Sequence, residues 1–358
     1  MEGFGHYTFE ISKRICQNHP EHEFYFFFDR PYDSKFVFSE NVIPVVLYPP
    51  TRHPILYVCW FEFSLKRALG KNKIDLFWSP DGFCSLGSNV PQVATIHDLN
   101  FVHNPKDLPW VVSSYFRFFF PKFAKKARRI ISVSNYSKTD IATSYQISKE
   151  KIAVIYNGSN EHYKPIESEN QQIIRNKYTQ GNPFFLFVGS LHPRKNIKRL
   201  IEAFIHVSRQ NSEICLIIVG SAMWSDSNIV LPKEVQNRII FTGHLDSMEL
   251  TKIMASAKAL TYVPYFEGFG IPLAEAMRCG TPILSSDTTS LPEVASDAAI
   301  YCNPFDVKSI AEGMFRLLEN DDLCLELSKK GLDRSQYFSW DLAAKHVWKE
   351  LEDVLSAL

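Results

Sequence analysis

No Cys-x-x-Cys pair occurs in this 358-residue chain, and its seven cysteines, Cys16, Cys59, Cys84, Cys215, Cys279, Cys302 and Cys324, are scattered and odd in number. That usage suits neither a disulfide frame nor a zinc site, so they read as reduced core residues. Also missing is any run approaching the 18 or so apolar residues that span a bilayer. The most apolar segment, Pro54 to Leu65, is interrupted by Glu62. The first residues are polar and glycine-containing, unlike a signal peptide, and a cytoplasmic location is expected. Charge of one sign is lacking too: Lys+Arg and Asp+Glu both number 39, so no global field recruits nucleic acid. There is no solenoid repeat and no low-complexity tract. What is present is apolar bulk, 45% hydrophobic and 14% aromatic, over a length that suits two domains of roughly 100–200 residues each.

Short apolar strands alternate with helices. In the first half they are expected at Glu23 to Phe28, Ile43 to Leu47, Ile74 to Trp78, Gln92 to Ile96, Arg129 to Val133 and Ile152 to Tyr156. After a polar linker from about Pro165 to Gly181, a second series follows: Phe184 to Val188, Ile214 to Val219, Arg238 to Thr242, Lys258 to Val263, Pro282 to Ser285 and Ala299 to Tyr301. Each series implies a mostly parallel sheet covered on both faces. Two doubly wound domains place a ligand in the crevice at the carboxyl ends of their strands. The domains are expected at 1–165 and 166–338. A last helix, Trp340 to Leu355, carries Leu342, Val347, Leu351 and Leu355 near helical spacing.

Gly3 and Gly5 read as a turn before a helix from Thr8 to Ile15, with Phe9, Ile11 and Ile15 inward. An α/β domain would have a strand ahead of that turn, and none is present. Either Met1 is not the true start or the sheet lacks a strand. The first is favoured, because losing a central strand exposes backbone groups and core surface.

The stretch that organises the chain is Tyr262 to Gly280, YVPYFEGFGIPLAEAMRCG. It reads as a strand end, a loop broken by Pro264, Gly268 and Gly270, and a helix from Ile271 to Cys279 with Pro272 in its first turn and Gly280 just past its end. A helix start of this kind attracts anions. Glu267 and Glu275 flank it with seven residues between them, and carboxylates among such donors are suited to sugar hydroxyls. Spacing alone equally allows two solvated helix-end charges.

The run from Glu267 to Asp306, EGFGIPLAEAMRCGTPILSSDTTSLPEVASDAAIYCNPFD, closely resembles the signature of the glycosyltransferase family 4 enzymes, the group 1 glycosyl transferases of bacterial surface polysaccharides. The resemblance extends over nearly the whole chain. It implies a GT-B fold, two Rossmann-like domains facing a central cleft with the C-terminal helix, 339–358, returning to the first. The implied activity is retaining transfer of a hexose, of mannose or glucose type, from a nucleotide diphosphate sugar to a glycan or lipid-linked glycan. No cofactor and no obligatory metal are expected, and no Asp-x-Asp motif stands in the site. A nucleotide-sugar epimerase of the same fold, or a binding module without catalysis, would share the crevice.

By the same resemblance, Glu267 and Glu275 hold sugar and ribose hydroxyls. Lys195, in the run FFLFVGSLHPRKN, contacts the donor phosphates. Arg194 substitutes for an Arg that many family members carry directly after the strand glycine Gly189, where this chain has Ser190. Arg and Lys near a helix start suit a diphosphate in any case. His97, at the end of TIHD, falls where the family places a His beside the donor sugar, with Asp98 as a companion. Gly3 and Gly5 resemble its phosphate-facing glycine loop. Gly268, Phe269, Gly270 and Ile271 complete the donor loop, and Gly243 with His244 falls where the base is held.

One further segment, Ser114 to Ile130, interleaves Arg117, Lys122, Lys125, Lys126, Arg128 and Arg129 with aromatics. A basic amphipathic helix suits an anionic membrane surface. It suits equally a core-packing helix with a solvated basic face.

Overall fold

The computed structural model describes residues 3–220 and 231–357, and the chain divides into two compact units, Met1–Asn157 with Trp340–Leu358, and Gly158–Ser339. The boundary expected at 165 falls inside the second unit. There, Ser159 and Ser339 lie side by side in a parallel bridge, and the Ser159 N–H donates to the Phe338 carbonyl at 3.1 Å. Among the described residues no helix is long and apolar enough to cross a membrane.

The first unit has strands β1 (Phe24–Phe28), β2 (Val42–Val46), β3 (Phe77–Ser79), β4 (Gln92–Ile96), β5 (Arg129–Ser132) and β6 (Ile152–Val154), all paired in parallel. Among the described residues the single sheet expected from the alternation is two: β1 pairs with β2, and β3–β4–β5–β6 form the other. Neighbouring strands must lie about 4.8 Å apart to share hydrogen bonds. Here a cavity of about 620 Å³, lined by all of β1 and β3 and by Trp60, Phe61, Trp348 and Leu351, takes up that space.

Gly3 and Gly5 do not form a turn ahead of the first helix. They lie in the first turn of the helix Gly3–Asn18, where N–H groups need no partner within the helix. A Cβ on Gly3 would meet nothing within 4 Å, so nothing there requires glycine. Tyr7, Ile11 and Ile15 are buried from this helix, while Phe9 is half-buried against Phe36 and Phe38. The helix packs on Trp340–Ser356, with Arg14 paired to Asp341. The buried stripe of that last helix is Trp340, Ala343, Ala344, Val347, Trp348 and Leu351. Leu342, expected inward, is 45% exposed, because it lies two residues from Trp340 and so on the far side of the helix.

In the second unit β7 (Phe184–Val188), β8 (Cys215–Val219), β9 (Ile239–Gly243), β10 (Ala259–Tyr262), β11 (Ile283–Ser286) and β12 (Ile300–Cys302) form one parallel sheet in the order β12-β11-β10-β7-β8-β9. All five residues of β7 and all five of β8 are buried, as continuous apolar runs in a doubly covered sheet must be. The chain starts in the middle, at β7, and winds outward in both directions. The strand order therefore reverses between β7 and β10, and such a reversal opens a binding crevice beyond the strands' carboxyl ends.

Candidate active site

The loops that leave β7 and β10 meet at this reversal. Gly189 follows β7 with φ +149°, a conformation that L side chains rarely adopt, and its N–H donates to the Val219 carbonyl at 3.0 Å. The chain then makes a short turn, Pro193–Lys195, capped by His192, whose Nδ1 accepts from the Arg194 N–H at 3.3 Å. Asn196 fixes the turn against the end of β10, with Nδ2 donating to the Val263 carbonyl at 2.9 Å and to the Pro304 carbonyl at 2.7 Å.

This delivers Arg194 and Lys195 to Glu267. Lys195 Nζ pairs with Glu267 Oε1, Arg194 Nη1 lies 3.1 Å from Oε2, and Arg194 also donates to the Phe266 carbonyl at 3.2 Å. Tyr262, the last residue of β10, joins them: its hydroxyl accepts from Lys195 at 2.7 Å and donates to Glu267 Oε1 at 2.9 Å. Burial would raise the Glu267 pKa, but the charges of Arg194 and Lys195, with hydrogen bonds from Lys195 and Tyr262, outweigh it, and the carboxyl is held below its ordinary value. Glu267 is thus an ionised carboxylate buried between two cations.

Glu275 differs. It lies in the helix Ile271–Arg278, 8% exposed, and burial pushes its carboxyl up to about 8, with a hydrogen bond from Tyr163 pulling the other way. Near neutrality it carries a proton, so it can both donate to and accept from a hydroxyl. The two acidic residues of this motif have opposite protonation states.

The helix that carries Glu275 begins at Gly270, whose φ is +88° and on which a Cβ would come 2.7 Å from Leu291 Cδ2. Glycine is needed there for both reasons. Gly268 is buried with it, and Ile271 opens the helix half-buried. Phe269 is 3% exposed, edge-on to Phe338 at 5.5 Å, so its ring belongs to the core and only its backbone faces the loop. Gly243, φ +71°, ends β9 and accepts from the Gly220 N–H at 2.9 Å, and His244 beyond it is exposed.

In the first unit His97 follows β4 and is 9% exposed. Nε2 lies 2.8 Å from the Pro80 carbonyl, and the rings of Phe4 and Tyr7 each lie 4.7 Å from its own. Burial lowers its pKa despite that carbonyl and Asp98. A neutral His97 that donates from Nε2 keeps Nδ1 as its lone-pair nitrogen. Asp98 accepts from the Asn100 N–H at 2.9 Å and so caps the turn that follows. Phe4 carries Gly3 and Gly5 to the same neighbourhood as His97.

The structure therefore gathers Arg194, Lys195 and Glu267 into one cluster. Two partners of the acidic residues, Tyr262 at Glu267 and Tyr163 at Glu275, were not legible beforehand. Tyr262 read as the end of an apolar strand, and Tyr163 lay in a segment without pattern. The available signal at Tyr262 was a phenol on a strand whose residues are all buried, because a buried phenol needs a partner.

A family model described as "Glycosyl transferases group 1" matches residues 169–334, and one described as "Glycosyltransferase Family 4" matches residues 1–162. The chain is 28% identical over 256 residues to the O-antigen chain mannosyltransferase B of Escherichia coli, covering 70% of this chain and 67% of that protein. It is 29% identical over 262 residues to the O-antigen chain mannosyltransferase RfbU of Salmonella typhimurium, covering 71% and 67%. Among solved structures, Anabaena Alr3699/HepE in complex with UDP-glucose superposes with a TM-score of 0.78 at 18% identity over 99% of this chain and 96% of that one. WaaG, a glycosyltransferase involved in lipopolysaccharide biosynthesis, gives 0.74 at 16% identity over 97% and 95%.

Proposed function

We propose that this protein, a glycosyltransferase with two Rossmann-like units related to the group 1 and family 4 enzymes of bacterial surface polysaccharides, moves a mannose- or glucose-type hexose from a nucleotide diphosphate donor to a glycan or lipid-linked glycan, with retention. The observation that carries the reading is the Arg194–Lys195–Glu267 cluster at the β7/β10 reversal. It sets two cations and an ionised carboxylate where a donor's phosphates and sugar hydroxyls can be held side by side. The mannosyl relatives support the hexose.

In the proposed reaction the bond from the sugar's anomeric carbon to the diphosphate oxygen breaks, and a bond from that carbon to the acceptor oxygen forms on the same face. The acceptor's proton passes to the departing diphosphate. Negative charge grows on that diphosphate in the transition state, so Lys195, Arg194 and the helix start at Gly270–Leu273 act where it accumulates. Glu267 accepts from sugar hydroxyls. Glu275 meets the ribose hydroxyls as a neutral carboxyl, and Gly243 and His244 lie toward the base. His97, neutral, offers Nδ1 as an acceptor to the sugar.

The helix Trp110–Lys126 supports a lipid-linked acceptor at a membrane surface. It contains no acidic residue, and its outer face joins exposed Trp110, Val111 and Phe118 to Arg117, Lys122 and Lys125. Lys122 Nζ sits 3.3 Å from the Phe118 ring centre. Arg129 has another role, paired to Glu350 at the start of β5.

Transfer from labelled nucleotide sugars to a lipid-linked acceptor pool tests the reading. Lys195→Ala and Glu267→Ala should each lower the rate at least about a hundredfold, the scale of losing one transition-state contact. Near-wild-type transfer in either variant, or an altered donor released without any acceptor, would overturn it.

A further inference from the structure

Tyr262 ends a central strand with its side chain fully buried, its ring lying against Phe187 at 6.1 Å between centres. Its hydroxyl lies between groups of opposite sign, 2.7 Å from Lys195 Nζ and 2.9 Å from Glu267 Oε1. A phenol has one proton to give and an ammonium accepts none, so the direction is fixed: Lys195 donates to Tyr262, and Tyr262 donates to Glu267. Lys195 also reaches Oε1 directly, and Arg194 faces the other oxygen at 3.1 Å. One carboxylate oxygen thus has two donors, and one of them is neutral.

We propose that Tyr262 is a positioning residue for glycosyl transfer, its hydroxyl fixing the Glu267 carboxylate and the Lys195 ammonium relative to one another so that sugar hydroxyls and diphosphate meet them in a set geometry. The proposal rests on the donor-site reading above. As diphosphate oxygens draw on Lys195, the phenol keeps its hydrogen bond to Oε1, and the carboxylate is not left to swing toward Arg194. A neutral donor is suited to this task because a phosphate does not compete for it by charge.

Among the described residues, the charged and titratable groups acting on Glu267 are Arg194 and Lys195 from the turn after β7 and Tyr262 from β10, with Glu275 of the following helix acting on Tyr262. Burial works against ionised Glu267, and the two cations and the phenol favour it. Removing the phenol's proton therefore moves Glu267 titration upward.

The test compares wild type, Tyr262→Phe, Phe187→Leu and a protein carrying 3-fluorotyrosine at 262, whose more acidic phenol is a stronger donor. The readouts are kcat, donor KM and the acid limb of the pH profile with the donor that wild type uses. Tyr262→Phe should lower kcat about tenfold, leave donor KM within about twofold and move the acid limb up by about half a unit or more, as the loss of one hydrogen bond to a carboxylate implies. Fluorotyrosine should move the limb down. Phe187→Leu loosens the ring but keeps the hydroxyl, and its limb should stay at the wild-type position. Wild-type kcat and limb in Tyr262→Phe, or an equal upward shift in Phe187→Leu, would overturn the proposal. If Tyr262→Phe fails to fold, the fluorotyrosine limb decides, and an unmoved limb overturns it. Wild type that transfers sugar from no donor sinks the donor-site reading and this proposal together; active wild type with indifferent Tyr262 variants sinks this proposal alone.

Discussion

At the scale of single residues, the motif's two carboxyls share a spacing and not an environment. Glu267 is buried beside two cations and stays ionised, while Glu275 is buried beside a tyrosine and keeps its proton up to about 8. The second has a consequence for stability. A carboxyl whose pKa is raised on folding contributes stability that is fully present below the unfolded value, near 4.5, and is lost as pH rises through the folded value, near 8. Glu275→Gln mimics the protonated form at every pH. Thermal melts should therefore show the variant gaining on wild type steadily between those two values, and a melting difference flat across that window would contradict the assignment. Spacing made Glu267 and Glu275 legible as a pair. Their opposite states were not legible, because they depend on what folding brings together: Lys195, 72 residues away in sequence, and its neighbour Arg194 hold Glu267 ionised, while burial in the fold keeps the proton on Glu275.

At the scale of elements, the buried parallel strands were the most legible, since a continuous apolar run has one reading when helices alternate with it. Gln92–Ile96 and Phe184–Val188 fall where their residues put them, and the other strands shift by a few residues at their ends. Gly3 and Gly5 were misread because glycine signals a turn by frequency, whereas a helix's first turn tolerates it. The aromatic and basic helix Trp110–Lys126 packs one face into the core and leaves a basic face exposed, as its second reading had it; the membrane reading is a proposal. Tyr115, Phe120 and Phe123 are core, and Trp110, Phe118 and the basic side chains are surface. Replacing Arg117, Lys122, Lys125 and Arg128 with Gln leaves that core untouched. Vesicles rich in anionic lipid should retain wild type and release the variant, at about 1 kcal/mol per basic residue near the surface. Equal retention of both proteins would remove the membrane from the account.

At the scale of the whole molecule, chain order and spatial order part company at both ends of the second unit. Its segment is inserted into the first unit's sequence, and the last helix returns to lie on Gly3–Asn18, burying Trp340, Val347, Trp348 and Leu351. The alternation of strands and helices foretold two Rossmann-like units, and the superposition on HepE and WaaG over nearly the whole chain agrees with that fold. The break in the first unit's sheet was not foretold, because strand pairing is a property of register and reach and not of any one strand's sequence.

The proposed glycosyl transfer depends on Lys195 and Arg194 holding a diphosphate. The most direct test is calorimetric titration of GDP-mannose, UDP-glucose, UDP-galactose and UDP-N-acetylglucosamine into wild type and Lys195→Ala, with EDTA present. Wild type should bind one of these donors, and Lys195→Ala should bind it at least about tenfold more weakly, as losing a charge-assisted phosphate contact implies. Equal affinity in the two proteins, or no binding of any donor to wild type, would contradict it.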